Sequence, residues 1–376
     1  MEVYLDNAAT TRVCTEAADI AYKVMTECYG NPSSTHTKGR EAKAYLDAAR
    51  AQIAKALGCA ASEVYFTSCG SESDVWAITK GAESMSRRGK HIISSAVEHD
   101  AVRKTLADLE ARGYEVTYLK PEQDGSISVQ AVKNALRSDT VLVTLMMVNN
   151  ETGGVTDIAG IAKMLKAEGS KALLHTDAVQ GFMKLPFSAK KLGADMISIS
   201  GHKIHAPKGI GALYIKTGVK IKPLIHGGAQ ESGLRAGTEA MPQIAAFGKA
   251  AEIAFAGMRE NCEKIAKLRE SAASAICAEM PEAVIIGGGA PHILSVSLPG
   301  WRSEVLMNFL EAKGIFVSRS SACKKGGRSH VLEAMGLSAP IIDGAIRISF
   351  SRMNTQSDVD ALVSALKEAH DTLAHR

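Results

Sequence analysis

Two residues in the middle of the chain have the types and spacing that carbanion chemistry requires. Lys203 lies in a Ser-Gly-His-Lys run (200–203) directly after the apolar segment 196–199, and Asp177 lies 26 residues upstream, after an earlier apolar segment. A lysine amine forms a Schiff base with pyridoxal phosphate, and an acid keeps the pyridine nitrogen of that cofactor protonated, so that the ring accepts electrons. A lone pair of this kind is more often a surface lysine and a helix cap. However, a polar, glycine-containing run after an apolar strand is typical of a ligand-binding loop, so we predict a pyridoxal phosphate site.

A second motif could hold a phosphate group. The segment 66–73 (Phe-Thr-Ser-Cys-Gly-Ser-Glu-Ser) indicates a strand, a turn of small residues and the start of a helix. The free N–H groups and the positive end of a helix dipole favour an anion at such a position. Gly70 and Ser71 lie at this turn. Alone, the pattern indicates only a capped helix, but Ser200 and His202 can donate to the same group, and together they predict a phosphate seat.

The composition is that of an ordinary globular protein. Of the 376 residues, 46% are hydrophobic and 22% are charged, which is close to the average for such proteins. The length favours two to three domains, or one large α/β domain with a smaller partner. The net charge of +4 comes from scattered lysines and arginines, so direct binding to nucleic acid is not expected.

The cysteines and the first residues bear on location. The seven cysteines are dispersed without CxxC spacing, which is typical of a reducing compartment and favours neither a disulfide framework nor a structural zinc site. The N-terminus lacks the charged and apolar regions of a signal peptide. No window of about 18 apolar residues predicts a membrane span. We therefore expect a cytoplasmic protein without a metal and without a membrane partner.

Hydrophobic patterning predicts alternating strands and helices. This alternation favours a mostly parallel sheet with helices on both faces, and several strands are continuously apolar, as strands buried on both faces are. The predicted strands are 64–67, 91–95, 115–119, 141–148, 172–176, 196–200 and 212–215; the predicted helices are 39–57, 72–85, 99–112, 129–136, 157–168 and 242–269.

The pattern changes after the long helical region that begins at residue 242. The segments that follow predict a smaller α+β unit: a strand at 293–298, a helix at 303–313, a strand at 345–351 and a last helix at 356–374.

Short motifs also follow one another in a specific order. They are 4–11 (Tyr-Leu-Asp-Asn-Ala-Ala-Thr-Thr), 30–34 with His36, 66–68 with Glu72 and Ser73, 98–99, 149–153, 177–180, 200–203, 235–239, 321–323 and 347–349. In this order and at these spacings the chain resembles the cysteine desulfurases, a group within the class V aminotransferase-like, fold-type I pyridoxal phosphate enzymes. The similarity runs nearly from end to end.

The resemblance implies a fold and a division into domains. Fold-type I enzymes have a large α/β domain, whose mostly parallel sheet is sandwiched by helices, and a smaller α+β domain. We therefore expect a large pyridoxal phosphate-binding domain at 15–250. The small domain would comprise 1–14 and 251–376 and would carry the catalytic cysteine loop.

The resemblance also implies roles for individual side chains. His99 is expected to stack on the pyridine ring and shuttle protons, Asp177 to pair with the ring nitrogen, and Gln180 to bond to the phenolic oxygen. The expected catalytic residues are Lys203, Cys323 and His99; the expected cofactor contacts are Gly70, Ser71, His99, Asn150, Asp177, Gln180, Ser200, His202, Lys203 and, from the neighbouring subunit, Thr238; the expected substrate contacts are Arg347 and Asn150. The Arg347 guanidinium suits a substrate carboxylate because it can bind it bidentately.

Cys323 distinguishes a desulfurase from an aminotransferase. Its segment, 318–328, is small, polar and basic, and the cations Lys324, Lys325 and Arg328 favour the thiolate. By the resemblance, this thiolate takes the sulfur of L-cysteine and leaves alanine and a persulfide. The loop after Cys323 is two residues shorter than is common in the subgroup.

The resemblance therefore implies a pyridoxal phosphate-dependent cysteine desulfurase that acts as a homodimer. Its sulfur would pass to a protein acceptor such as an iron–sulfur scaffold or a tRNA-thiolation enzyme. A selenocysteine lyase or a cysteine β-lyase fits the same residues. A non-catalytic scaffold that kept the fold is a further hypothesis, and a plain aminotransferase would not need Cys323. Cys69, at the expected phosphate turn, has no role in any of these.

Overall fold

The computed structural model describes residues 2–319 and 327–373. The strands are β1 Val3–Tyr4, β2 Val64–Thr67, β3 His91–Ser95, β4 Glu115–Leu119, β5 Thr140–Thr144, β6 Leu173–Asp177, β7 Met196–Ser200, β8 Gly211–Ile215, β9 Val284–Ile286, β10 Ile293–Ser297, β11 Ile315–Phe316, β12 Ser318–Arg319 and β13 Ala345–Ser349. The helices are α1 Thr15–Thr26, α2 Thr37–Leu57, α3 Gly70–Ser84, α4 Asp100–Ala111, α5 Val129–Ala135, α6 Ile158–Ala167, α7 Ala189–Leu192, α8 Met241–Ala256, α9 Met258–Glu279, α10 Ser303–Ala312, α11 His330–Ala334, α12 Ala339–Asp343 and α13 Gln356–Thr372.

The larger sheet has seven strands in the order β2-β8-β7-β6-β5-β3-β4. The five strands β7, β6, β5, β3 and β4 run parallel to one another. Strand β8 is antiparallel to both of its neighbours, β2 and β7. The mostly parallel sheet predicted from the sequence is confirmed. The carboxyl ends of β2, β3, β5, β6 and β7 lie along one edge, which is where open α/β sheets bind their ligands.

Both faces of this sheet are covered, which explains the continuously apolar strands. Successive residues of a strand point to opposite faces. Accordingly, Ile93 and Ile197 belong to one buried cluster and their neighbours Ile92 and Met196 belong to another. Because water reaches neither face, both sets of side chains are apolar.

A second, antiparallel sheet has the order β12-β13-β10-β9. Its inner face packs with side chains of α9, α10 and α13 in a separate core that includes Leu268, Leu306 and Leu362. Val3 and Leu5 also pack in this core, whereas Ala8 and Cys14 pack in the core of the large sheet. The division at 15–250 stays a prediction.

The single helix predicted at 242–269 is wrong, because the region forms two helices. The break is at Gly257 (φ −98°, ψ 13°), which ends α8 and precedes α9. Glycine has a low helix propensity. The break also lies where the chain leaves one core for the other, since Ala254 packs in the large core and Ile265 in the small one.

Across the described ranges, none of the helices has both the length and the apolar character that crossing a bilayer requires.

Candidate active site

A cavity of about 330 Å³ lies at the carboxyl edge of the large sheet. It brings together residues that the sequence predicted from separate motifs: Gly70, Ser71, His99, Asn150, Asp177, Gln180, Ser200, His202, Lys203 and Arg347. Thr238 is exposed and is not part of this lining. Cys323 lies outside the described residues.

The sheet positions most of these side chains. Gly70 follows β2, His99 follows β3, Asn150 follows β5, Asp177 is the last residue of β6, and Lys203 follows β7. Parallel strands end at the same edge, so residues far apart in sequence meet there. Arg347 comes instead from β13 of the small sheet.

Lys203 is held by the N-terminal segment of the chain. Its Nζ donates to the main-chain oxygens of Ala8 at 2.7 Å and Ala9 at 2.6 Å. Burial lowers the pKa of Lys203 to about 7, and the nearby positive charges of Arg347 and Lys184 act in the same direction. Near neutral pH a large share of the amine is therefore unprotonated, as nucleophilic attack on a carbonyl carbon requires. The two carbonyls are site contacts that sequence reasoning missed.

The carboxyl of Asp177 is buried, and its Oδ1 accepts from the backbone N–H of Val179 at 2.9 Å. Burial raises its pKa, whereas the charges of His99 and Lys203 and the bond from Val179 lower it. A cationic ring nitrogen beside this carboxyl would favour its ionised form, because an opposite charge stabilises a carboxylate.

Two further acids surround Asp177 that were not predicted as site residues. Asp74 and Glu98 line the cavity, and each has one buried carboxyl oxygen without a hydrogen-bond partner in the described part of the chain. Burial raises the pKa of Glu98 to about 8 and that of Asp74 well above its usual value. Glu98 is therefore mostly protonated at pH 7, and burial favours the protonated form of Asp74 as well. Glu98 belongs to a motif, but only the fold reveals Asp74.

The start of α3, where the sequence predicts an anion seat, lies at the cavity. Cys69 precedes the helix in an extended conformation, without a side-chain cap. A Cβ atom at Gly70 would lie 2.8 Å from Val179 Cγ2 and 3.3 Å from Ser200 Cβ, so glycine allows this close packing. The first N–H groups of a helix have no acceptor within the helix, and Gly70 and Ser71 at the start of α3 line the cavity, so an anion in the cavity could accept from them.

This arrangement fits pyridoxal phosphate. The helix start offers donors for a phosphate, Lys203 offers an amine of low pKa, and Asp177 offers a carboxylate for a protonated ring nitrogen. The side chain of His99 also lines the cavity, and its Nδ1 accepts from Ala101 N at 3.1 Å as the cap of α4. A flat imidazole in this position can stack on an aromatic ring.

Arg347 is buried between two segments of the site. Its Nη1 donates to the main-chain oxygen of Asn150 and its Nη2 to Asp6 Oδ1, both at 2.8 Å. Its Nε is buried and has no hydrogen-bond partner within 2–319 and 327–373. A guanidinium with an unused donor beside a cavity can bind a carboxylate. The sequence did not indicate Asp6 as its partner.

Each flank of the segment 320–326 contacts a residue that lines the cavity. On the upstream side, Ser318 pairs with Arg347 across β12 and β13. On the downstream side, the Ser329 hydroxyl donates to Glu151 and accepts from the backbone N–H of Leu332, so it also caps α11. Neither Ser329 nor Glu151 was predicted as a site residue, although Glu151 belongs to one of the motifs.

The fold and this cavity define a pyridoxal phosphate-dependent enzyme of fold type I. Residues 3–362 match the model of the family described as aminotransferase class-V. A cysteine desulfurase IscS of Methanosarcina thermophila is 43% identical over 97% of this chain and 91% of that protein. A solved structure titled NifS-like protein is 39% identical, with a TM-score of 0.94 over 99% of this chain and 100% of that chain. Another, SspA in complex with cysteine, is 34% identical, with a TM-score of 0.83 over 94% of this chain and 99% of that one.

The chain belongs to the class-V aminotransferase family and, within it, to the cysteine desulfurases.

Proposed function

We propose that the chain takes sulfur from L-cysteine, releases L-alanine and holds the sulfur as a persulfide on Cys323. The observation that carries this proposal is the meeting of Lys203, Asp177 and Arg347 in one cavity. These three groups serve an amino-acid substrate: an amine to capture the cofactor, a carboxylate to hold its charge, and a guanidinium for the substrate carboxylate.

Lys203 has two tasks in this proposal. Its amine, kept partly neutral by burial, holds the cofactor until the substrate amine replaces it. Bound pyridoxal phosphate supplies an electron-withdrawing ring that stabilises negative charge at the substrate α-carbon. The released Nζ of Lys203 then takes the α-proton and later returns a proton, as a general base and acid of pKa near 7 does well.

Asp177 and Gln180 are the residues that would hold the ring of the cofactor. The Asp177 carboxylate would pair with a protonated ring nitrogen, and the Gln180 amide would donate to the phenolic oxygen. Gly70 and Ser71 at the start of α3, with Ser200 and His202, receive the phosphate. Their positions in the lining of one cavity support these roles.

Arg347 orients the substrate. In the absence of a substrate, its guanidinium is bonded to Asp6 and to the backbone of Asn150. A substrate carboxylate binds the guanidinium in place of Asp6, and the exchange of one carboxylate for another preserves the charge balance of this buried arginine.

Cys323 receives the sulfur. It is five residues beyond Ser318, which pairs with Arg347, and an extended chain of that length spans about 18 Å at most. This length of chain allows Cys323 to approach a substrate bound at Arg347. The Cys323 thiolate forms a bond to the substrate sulfur as the carbon–sulfur bond breaks. The electron pair of the broken bond stays with the substrate carbon, which takes up a proton and leaves as alanine.

The test is to incubate the cofactor-loaded enzyme with L-cysteine and follow two products. We expect alanine by amino-acid analysis and a mass increase of one sulfur on the Cys323 peptide. Alanine without a sulfur on any protein thiol would contradict the proposal, and pyruvate in place of alanine would indicate a β-lyase. The same assay with L-selenocysteine measures the preference between sulfur and selenium.

We propose a homodimer whose partner subunit places Thr238 at the phosphate. Thr238 is exposed and does not line the cavity of its own chain. Around α1, the side chains of Tyr22, Met25 and Tyr29 are 65%, 55% and 70% exposed. Exposed large apolar side chains are often found where another chain binds. Sedimentation equilibrium tests this assembly, and a monomer with full activity would contradict it.

We also propose a cytoplasmic location and transfer of the persulfide sulfur to a protein acceptor, such as an iron–sulfur scaffold or a tRNA-thiolation enzyme. The cysteines that the structure describes are free thiols, as a reducing compartment favours. A pull-down after loading with radiolabelled cysteine sulfur tests the acceptor.

A further inference from the structure

One buried histidine connects the small sheet to the cofactor cavity. His292, directly before β10, is fully buried, and its Nε2 lies 3.3 Å from Gln180 Oε1. Its backbone is fixed too, because its carbonyl oxygen accepts from Phe350 N at 2.9 Å. Gln180 lines the cavity, whereas His292 does not, so His292 can affect the cavity only through another residue.

The orientation of the Gln180 amide follows from its two neighbours. Gln180 Nε2 donates to the main-chain oxygen of Ala8 at 2.8 Å, and a carbonyl oxygen only accepts. The NH₂ group must therefore face Ala8, and Oε1 faces His292. Because Oε1 can only accept, the proton of the neutral His292 ring must be on Nε2.

The environment of His292 favours the neutral ring with its proton on Nε2. Burial lowers its pKa well below the usual value, and the positive charges of Lys184, Arg347 and Lys203 lower it further. The other ring nitrogen, Nδ1, has no hydrogen-bond partner in the portion of the chain described here. The bond to Gln180 is thus the one polar contact that fixes the ring within that portion.

We infer that His292 is a positioning residue: by donating to Gln180 Oε1, it turns the Gln180 NH₂ group toward the cavity and the phenolic oxygen of the cofactor. One N–H of that group bonds to Ala8, and the second remains for the cofactor. Without His292, the Gln180 amide loses one of the two contacts that fix its orientation, and the Ala8 carbonyl alone holds its NH₂ group. This inference rests on the proposed function, since it requires that Gln180 meets the cofactor.

The test compares His292→Phe, Gln180→Ala and the double variant by two measurements on protein with pyridoxal phosphate. The first is the pH midpoint of the visible absorbance of the bound cofactor, and the second is the dissociation constant of the cofactor from apoprotein. A donor to a charged oxygen stabilises the deprotonated chromophore, so each single variant is expected to raise the midpoint by about one pH unit. Cofactor binding should weaken about tenfold, and the double variant should add little, because the two residues act in series.

Two further variants separate positioning from general damage to the fold. His292→Gln, whose terminal NH₂ can donate to Gln180, should recover part of both changes. His91→Phe removes another buried histidine, which bonds to Thr117 and Thr140 away from the cavity, and should leave the midpoint unchanged. If His292→Phe does not fold, His292→Ala takes its place.

Wild-type midpoint and affinity in His292→Phe, together with shifts in Gln180→Ala, would overturn the inference and leave the proposed function intact. Additive shifts in the double variant would overturn it as well. Failure of the wild-type enzyme to produce alanine would instead defeat the proposed function.

Discussion

The hydroxyl of Ser329 donates a hydrogen bond to the buried carboxyl of Glu151. This bond ties the start of α11 to the turn at 149–153, whose Asn150 oxygen also holds Arg347. Burial raises the pKa of Glu151 from 4.5 to about 7, although the Ser329 bond and the charge of Arg347 lower it. The native state therefore binds the Glu151 proton more tightly than the unfolded state does. Its contribution to stability is full below pH 4.5 and is lost as the pH rises toward 7.

Glu151→Gln should remove this pH dependence. The neutral amide can still accept from Ser329, and it never has to lose a proton on unfolding or carry a buried charge. Relative to wild type, we expect the variant to gain about 2 to 3 kcal/mol between pH 5 and pH 8. Urea unfolding of both proteins at these two pH values measures the difference. An equal effect of the substitution at both pH values would contradict the assignment.

Capture of pyridoxal phosphate should depend on the protonation of Lys203. With a pKa of about 7, the neutral amine rises from roughly a tenth of the population at pH 6 to roughly nine tenths at pH 8. The initial rate of cofactor capture by apoenzyme should rise about tenfold over this range, as stopped-flow absorbance would show. Lys203→Ala should form no borohydride-reducible link to the cofactor at any pH. A flat rate profile, or a reducible link in that variant, would assign the role to another amine.

Asp177→Asn should slow alanine formation by several orders of magnitude while the cofactor still binds. The amide cannot balance the charge of a protonated ring nitrogen, so the electron-withdrawing power of the ring falls. The matched control is Asp195→Asn. Asp195 directly precedes β7, and its carboxyl accepts a hydrogen bond from the backbone N–H of Leu174. Near-normal turnover in Asp177→Asn, or an equal loss in Asp195→Asn, would count against the role.

The large sheet could be predicted from the sequence because its strands have local signals. Apolar β-branched runs at 64–67, 91–95, 115–119 and 196–200 match β2, β3, β4 and β7 residue for residue. The start of α3 was less predictable, since the helix begins at Gly70 and not at residue 72. Glycine is a poor helix former, so the sequence does not favour a helix start at Gly70, which packs closely against Val179 and Ser200 in the fold.

The residues of the cavity could be predicted only where the residue type and its sequence context indicate a chemical role. Lys203 and Asp177 lie in polar segments that follow apolar strands, and this pattern can be recognised in the sequence alone. His292 and Asp74 carry no such signal. His292 contacts Gln180, which is more than a hundred residues away in sequence, and Asp74 is buried beside other acids. Both arrangements depend on how the sheets and helices pack. The contacts of Lys203 with the main-chain carbonyls of Ala8 and Ala9 could not be predicted for another reason. Every residue has a carbonyl, so residue type does not indicate which one lies in the site.

Cys323→Ser should keep cofactor binding but abolish persulfide formation. A serine hydroxyl stays protonated near neutral pH and attacks sulfur poorly, whereas a thiol ionises far more readily, and Lys324 and Lys325, next to Cys323 in sequence, favour the thiolate. We expect mass spectrometry to show no persulfide and absorbance to show an unchanged cofactor spectrum.

Cys69 is the rival acceptor, because it directly precedes α3 and lines the cavity. It lies at the phosphate end, whereas Arg347, which binds the substrate carboxylate in our proposal, lies beside Ser318 and therefore near the start of the segment that carries Cys323. Cys69→Ser should thus retain alanine production, as should Cys277→Ser, which removes an exposed thiol. If Cys323→Ser continued to make alanine and Cys69→Ser did not, the sulfur would be accepted at the phosphate end. The shorter loop after Cys323 would then explain why that thiol does not reach the substrate.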